Sequence, residues 1–217
     1  MQQRGVLFIA DEQLGYDFIN SNNELKTHLM AGTETSFINY KSPNHPTTTN
    51  STGNNNYDTT SGTATKDVII REVNKNPFVI AYAGHGTNGS WSGSQILNIR
   101  RGGTVDDSAS FTNGGSNLSL FILLTCLNGS FADFSNETIS ERQMKNVNGG
   151  SIGIWSSSGL TIPESQDPMG ARFYDLYRDG IGTVRLGELT RQAKLATGDP
   201  DVRYSWVLLG DPTLRVK

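Results

Sequence analysis

"FVIAYAGHGTNGSW" spans residues 78–91, and the way it is read decides the fold. Residues 78–83 form an apolar run without a polar break, short and rich in β-branched and aromatic side chains, which predicts a strand. A strand with no polar alternation has both faces covered, as in a mainly parallel sheet between layers of helices. The run stops at His85, held between Gly84 and Gly86. "LSLFILLT" (118–125) is the most hydrophobic run in the chain and stops in the same manner, at Cys126. Sites in open α/β sheets form beyond the C-terminal strand ends. If these two strands are parallel neighbours, the imidazole and the thiol emerge at one edge. They stand 126 − 85 = 41 positions apart, room for a crossover connection.

Working outward, "GVLFIA" (5–10), "TSFINY" (35–40) and "SIGIWS" (151–156) read as further strands, and "SWVLLGDPTLRV" (205–216) as a short apolar strand with a turn. "SNNELKTHLMAG" (21–32) predicts a helix capped by Ser21, with Glu24 completing a capping box and Gly32 ending it. Helical spacing recurs over 63–76, stopped by Pro77, and over "ETISERQMKNV" (137–147). Asp167 and Pro168 have the residue types of a cap and first turn, with Gly180 at the far end, and a last helix runs over 183–196 with Gly187 as a weak point. Residues 41–62 contain almost nothing that packs and read as a flexible surface loop, and 98–117 is a second polar stretch. The order β-α-β-α-β, followed by strands separated by loops and helices, gives an α/β fold: a mainly parallel sheet flanked by helices on both faces. No repeat or second domain is visible in the 217 residues.

Composition narrows the function. Hydrophobic residues make up 35% of the chain and the mean hydropathy is −0.41, with no run of the roughly 18 apolar residues that a membrane span needs, so a soluble chain with no membrane partner is expected. A formal net charge of −3 and no basic block argue against nucleic acid as a partner. One cysteine excludes an internal disulfide and a cysteine zinc cluster, and the three histidines have no metal spacing, so no metal site is expected. Calcium has no ordered ligand spacing to support it. "MQQRGVLFIADE" is not a signal peptide, which leaves location open if the chain is a processed piece.

The chemistry of a His/Cys pair is specific. A free thiol has a pKa of ~8.5 and is mostly protonated at neutral pH. An imidazole beside it can take that proton and later return it to a leaving amine. The N–H groups of Gly86 and Cys126 could then point at a substrate carbonyl oxygen as it gains charge. Each residue also has an ordinary reading: Cys126 as buried packing, His85 as a turn cap, Trp91, Trp155 and Trp206 as core, His28 as structural, His45 as solvated and Asp106-Asp107 as a solvated turn. Asp11, just after the first strand, is a lesser candidate for the edge of the site.

"AYAGHGTNGSW" (81–91), "LLTCLNGSF" (123–131), "GGSIGIWSSSGLT" (149–161) and "SWVLLGDPTLRV" (205–216) stand in an order that resembles gingipain-like cysteine peptidases, within the wider caspase-like group. The resemblance covers most of the chain outside the two polar stretches. It implies a caspase-like fold, with 1–217 as one peptidase domain that lacks an upstream part. It also implies a cysteine endopeptidase acting on protein or peptide substrates through a thioester acyl-enzyme. His85 matches the general acid/base, Cys126 the nucleophile, and Gly86 with the Cys126 amide the oxyanion donors. Trp155, Ser156, Ser157 and Gly159 match the wall of the primary specificity pocket. Cleavage after a basic residue is permitted, though no acidic group can be placed for it. Calcium supports some relatives. Here only "MQQRG" precedes the first strand. An upstream polypeptide segment that completes the sheet is therefore a further partner, in keeping with a secreted or cell-surface piece of a longer bacterial precursor. The competing readings are a non-catalytic caspase-like module that binds a partner or acts as a scaffold, and a thiol hydrolase for small amides or esters.

Overall fold

The computed structural model describes residues 4–99, 105–115 and 118–215. In chain order the elements are β1 (Val6–Ala10), α1 (Phe18–Thr27), β2 (Thr35–Tyr40), β3 (Asn55–Thr59), α2 (Gly62–Val73), β4 (Val79–Ala83), β5 (Gly86–Thr87), β6 (Ser90–Trp91), β7 (Leu97–Asn98), β8 (Ser119–Leu124), α3 (Ile139–Lys145), β9 (Ser151–Ser157), α4 (Pro163–Asp179), α5 (Leu186–Ala193), α6 (Pro200–Ser205) and β10 (Trp206–Gly210). The main sheet has seven strands in the order β10-β9-β8-β4-β1-β2-β3. Every pairing in it is parallel except β10 with β9.

The apolar runs are buried on both faces, as their lack of alternation requires. In β1, Val6, Phe8 and Ala10 join a core with Phe18 and Leu25 of α1, Phe173 and Tyr174 of α4, and Leu189 of α5. Leu7 and Ile9 join the opposite core with Ile69 and Val73 of α2, Phe121 of β8 and Ile139 of α3. Helices therefore cover both faces of a mostly parallel sheet. β5, β6 and β7 form a separate three-stranded sheet after His85 that local pattern does not reveal, because each strand has two residues.

Several local expectations are corrected. α1 starts at Phe18, capped by the Asp17 side chain, which accepts from the Asn20 N–H. Ser21 is not the cap. An early start buries Phe18 and Ile19, at roughly 1.5–3 kcal/mol each, against ~1 kcal/mol for a cap. α4 likewise starts at Pro163, and Asp167 and Pro168 lie inside it. An interior proline costs about 3 kcal/mol, which the burial of Met169, Phe173, Tyr174 and Tyr177 outweighs. The 41–62 segment is not one loop. β3 lies within it, paired with β2, since an edge ladder is made of backbone hydrogen bonds and needs few apolar side chains. Gly187 is not a weak point. A Cβ there would sit 2.6 Å from Pro212 Cβ, so glycine permits a close approach that the Gly187 N–H uses to reach Pro212 O at 2.9 Å. His45 is not simply solvated: its Nδ1 lies 2.6 Å from Glu12 Oε2. Asp106 caps a 3-10 turn, and Asp107 accepts from the Asn98 N–H at 2.9 Å and faces Lys66 at 3.3 Å. The polar reading of 98–117 falls partly on 100–104 and 116–117, outside the described residues.

Candidate active site

β4 and β8 are parallel neighbours with Ala83 opposite Leu124. His85 and Cys126 each follow two residues after those partners, so both emerge at the same edge of the sheet. The turns that carry them touch. A Cβ on Gly86 would lie 2.8 Å from Cys126 O and 2.4 Å from Thr125 Oγ1.

The His85 main chain is held tightly. Its N–H donates to Asp11 Oδ2 at 3.0 Å, and its carbonyl accepts from Tyr82 Oη at 2.7 Å and from the Ser92 N–H at 2.8 Å. Asp11 is fully buried and also accepts from the Glu12 N–H at 2.8 Å. Burial pushes the Asp11 carboxyl above its usual range, partly offset by hydrogen bonds from the Ser92 side chain and the His85 and Glu12 amides. The ring is oriented from the loop after β1. Nε2 lies 2.8 Å from the Leu14 carbonyl. A carbonyl only accepts, so Nε2 carries a proton and, in the neutral ring, Nδ1 is the basic nitrogen. The edge of the ring meets Phe18, 5.3 Å between centroids.

The half-buried Cys126 sulfur has Thr161 as its hydrogen-bond partner among the described residues. The thiol donates to Thr161 O at 3.3 Å, the Thr161 N–H donates to sulfur at 3.3 Å, and Thr161 Oγ1 lies at 3.6 Å. Gln166 Nε2 fixes Thr161 Oγ1 at 2.7 Å. No hydrogen bond joins His85 to Cys126. Leu127, the residue after the thiol, has a φ of 61°, a region bulky side chains rarely enter and one that collects at functional turns.

Among the described residues, two N–H groups beside the thiol have no acceptor. The Ser92 N–H bond to His85 O makes Gly86–Trp91 a non-hydrogen-bonded pair of its ladder, which leaves the Gly86 N–H outside it. The Cys126 N–H has no acceptor among the described residues. Trp155, Ser156 and Ser157 have no exposed surface within β9. Trp155 stacks on Phe173 at 5.4 Å and meets Trp206 edge-on at 5.9 Å, so these residues could shape a wall only through what they support. Gly159 is half-buried, and its carbonyl takes the Leu127 N–H at 3.1 Å, tying this segment to the thiol turn. Sequence reasoning missed Thr161, Leu14 and Gln166. Thr161 lay inside a recognised stretch, but no local pattern marks which of its residues meets the sulfur. A concavity of about 320 Å³ at the opposite strand ends, lined by Arg4, Glu34, Glu72 and Lys75, contains neither His85 nor Cys126.

α4 is tied to the loop after β1 and to α1 through Asp167, which accepts from Tyr16 Oη and, at 2.7 Å, from Ser21 Oγ. Burial raises the Asp167 carboxyl above its usual range despite these bonds, and it raises the Tyr16 phenol with help from Asp167. A carboxyl raised in the folded state gives stability that is complete below its unfolded value of 3.8 and is lost as pH rises through the folded value. Asn at this position does not titrate: it keeps one acceptor oxygen and turns the other contact into an N–H donated to a hydroxyl oxygen. The stability advantage of Asp167→Asn over the wild type, from urea unfolding at a series of pH values, is expected to grow as pH rises above 3.8 and then to level off. A pH-independent difference would show that folding does not shift the Asp167 carboxyl from its unfolded value.

Among the described residues, no group of three or more His, Cys, Asp or Glu could hold a metal ion, and no helix is long and apolar enough to cross a membrane.

Comparison with known proteins bears on this arrangement. The family model described as peptidase family C25 matches residues 2–217. A crystal structure of the Arg-specific cysteine proteinase gingipain R is similar at 21% identity and a TM-score of 0.70, covering 98% of this chain and 47% of that one. A complex of the pro- and mature domains of RgpB from Porphyromonas gingivalis is similar at 19% identity and a TM-score of 0.73, covering 98% and 48%. A structure described only as a protease follows at 15% identity and a TM-score of 0.67, covering 99% and 48%. At these identities the likeness to solved structures establishes the fold. The chain spans about half the length of each of these structures. No curated protein matches it.

Proposed function

We propose that this chain, which belongs to peptidase family C25, is a cysteine endopeptidase that works through His85 and Cys126. The carrying observation is the parallel β4–β8 pairing, which puts both side chains beyond adjacent strand ends with Gly86 packed on the Cys126 carbonyl. The Leu14 carbonyl holds the Nε2 proton, so Nδ1 takes the thiol proton. The sulfur leaves its contact with Thr161 O and attacks the peptide carbonyl carbon, forming an S–C bond. The carbonyl oxygen takes the negative charge and is received by the free N–H groups of Gly86 and Cys126. Collapse breaks the C–N bond, and His85 protonates the leaving amine. Water, deprotonated by His85, then cleaves the thioester and releases the acid, and the thiol regains its proton. The Thr161 N–H, which donates to sulfur at rest, supports the thiolate.

A basic residue before the scissile bond needs a carboxylate free to meet it. Asp11, Glu12 and Asp167 are already bound by the chain's own donors. Glu164, exposed in the first turn of α4 and three positions after Thr161, is the acid we assign to this role. A peptide-library cleavage profile tests the whole reading. Expected are cleavage products from the wild type, none from His85→Ala, and a loss of preference for basic residues in Glu164→Gln. The contact of sulfur with Thr161 rather than His85 favours a second reading, a non-catalytic partner-binding module. That reading holds if the library is left intact and Cys126 alkylates at the same rate with or without the His85 ring.

A further inference from the structure

β10 ends the seven-stranded sheet, and among the described residues no strand lies on its outer side. The Ser158 N–H donates to Ser205 O at 2.8 Å, so Trp206–Ser157 is a non-hydrogen-bonded pair, and the alternation extends to Leu208–Trp155 and Gly210–Gly153. The N–H and C=O groups of Trp206, Leu208 and Gly210 therefore face away from β9. Those of Trp206 are used: its N–H reaches Val202 O and its carbonyl accepts from Lys194 Nζ at 2.6 Å. Those of Leu208 and Gly210 have no partner among the described residues.

A groove of about 450 Å³ runs beside this edge, with Leu208 and Gly210 on one side and Lys194, Leu195, Arg203 and Tyr204 around it. Leu195 and Tyr204 are 59% and 81% exposed, an apolar surface with nothing on it. The charges are one-sided. Lys194 and Arg203 are half-buried, and neither has a carboxylate within ion-pair distance among the described residues. Burial lowers the Lys194 pKa, with no acid opposing it. Arg203 Nε is buried without an acceptor. Among the described residues, no Asp or Glu lines the groove.

We infer that this edge is a docking site for an extended acidic peptide, which adds a strand to β10 and sets its carboxylates against Lys194 and Arg203. The free main-chain groups supply affinity without regard to sequence, and the unpaired cations select for acid. A lysine against an open edge has a second use, as a guard that discourages strand addition, and the experiment separates the two. A fluorescein-labelled peptide of alternating valine and glutamate is titrated against the Cys126→Ala protein, so that the probe is not cut, and anisotropy is followed. Expected is saturable binding that weakens as salt is raised. A peptide with glutamine in place of glutamate, and the Lys194→Gln/Arg203→Gln protein, should each bind about tenfold more weakly or worse. Leu208→Pro removes an outward N–H together with a half-buried side chain that packs on the core, so it is compared with Leu208→Ala: with the fold kept by circular dichroism, the proline variant should lose binding and the alanine variant should keep most of it. The inference is overturned by no binding of the glutamate peptide, which makes Lys194 a guard. It is overturned equally by indifference to the Glu/Gln change, or by sedimentation showing that β10 pairs with a second copy of the chain.

Discussion

Cys126→Ala is expected to lower kcat/KM for peptide hydrolysis by about 10⁴-fold or more, the scale seen when a covalent nucleophile is removed. Stability should hardly change. The residue is half-buried, and the partners of its sulfur among the described residues are all atoms of Thr161, so the loss is of order one hydrogen bond, about 1 kcal/mol. The thermal midpoint should therefore move by only a few degrees for a chain of this size. His85→Ala should lose activity on a comparable scale, and the double variant should be little worse than either single one, because the two groups act as a unit. Initial rates and thermal melts on the three variants decide the matter. A Cys126→Ala protein that keeps substantial turnover would remove the thiol from the reaction.

Gly86→Ala is the second large effect, and it should damage both fold and activity. The added Cβ would meet Thr125 Oγ1 at 2.4 Å, Cys126 O at 2.8 Å and Asn128 Nδ2 at 3.0 Å. None of these can move easily. Thr125 and Asn128 are fully buried, and Asn128 Nδ2 donates to Thr87 O at 2.6 Å and Ser90 O at 3.3 Å. Overpacking of this kind costs about 1–3 kcal/mol. Relief by separating the two turns moves His85 and the Gly86 N–H away from the thiol, and a shift of about 1 Å in a reacting pair can cost about 10² in rate. Gly93 is the control, since a Cβ there meets nothing within 4 Å. Gly93→Ala should lie within about 0.5 kcal/mol of wild type by urea unfolding. If Gly86→Ala behaves like Gly93→Ala, the two turns are not packed as described.

What was legible beforehand followed from strong local signals. The apolar runs at 78–83 and 118–125 are too short and too uniformly hydrophobic to be anything but covered strands, and β4 and β8 match them to within a residue at each end. The helical spacing over 137–147 is α3, and the structure adds the capping box of Thr138 and Glu141 that starts it. Signals that compete were misread. Ser21 has the side chain of a cap, but its hydroxyl serves Asp167, 146 positions away, while burial of Phe18 and Ile19 sets the helix start. β3 lies in a stretch that reads as loop because an edge strand can be polar, and α6 and the strands of the small sheet are too short to show a period. At the site, the sequence offered His85 and Cys126, but neither the Leu14 carbonyl nor Thr161.

By itself, the sequence determined that strands end at His85 and Cys126, because an unbroken apolar run needs cover on both faces and a glycine-flanked polar residue cannot extend it. It did not determine that the two strands are neighbours. That came from the sheet order, in which β8 rather than β9 or β2 lies beside β4. The tertiary structure alone decided that a carbonyl 71 positions away holds the imidazole and that a threonine 35 positions away holds the sulfur. It alone placed β10 at the end of the sheet. Such contacts depend on the summed stability of strand pairings and helix packing across the whole sheet, and residues far apart in the chain carry no local periodicity that records which of them will meet.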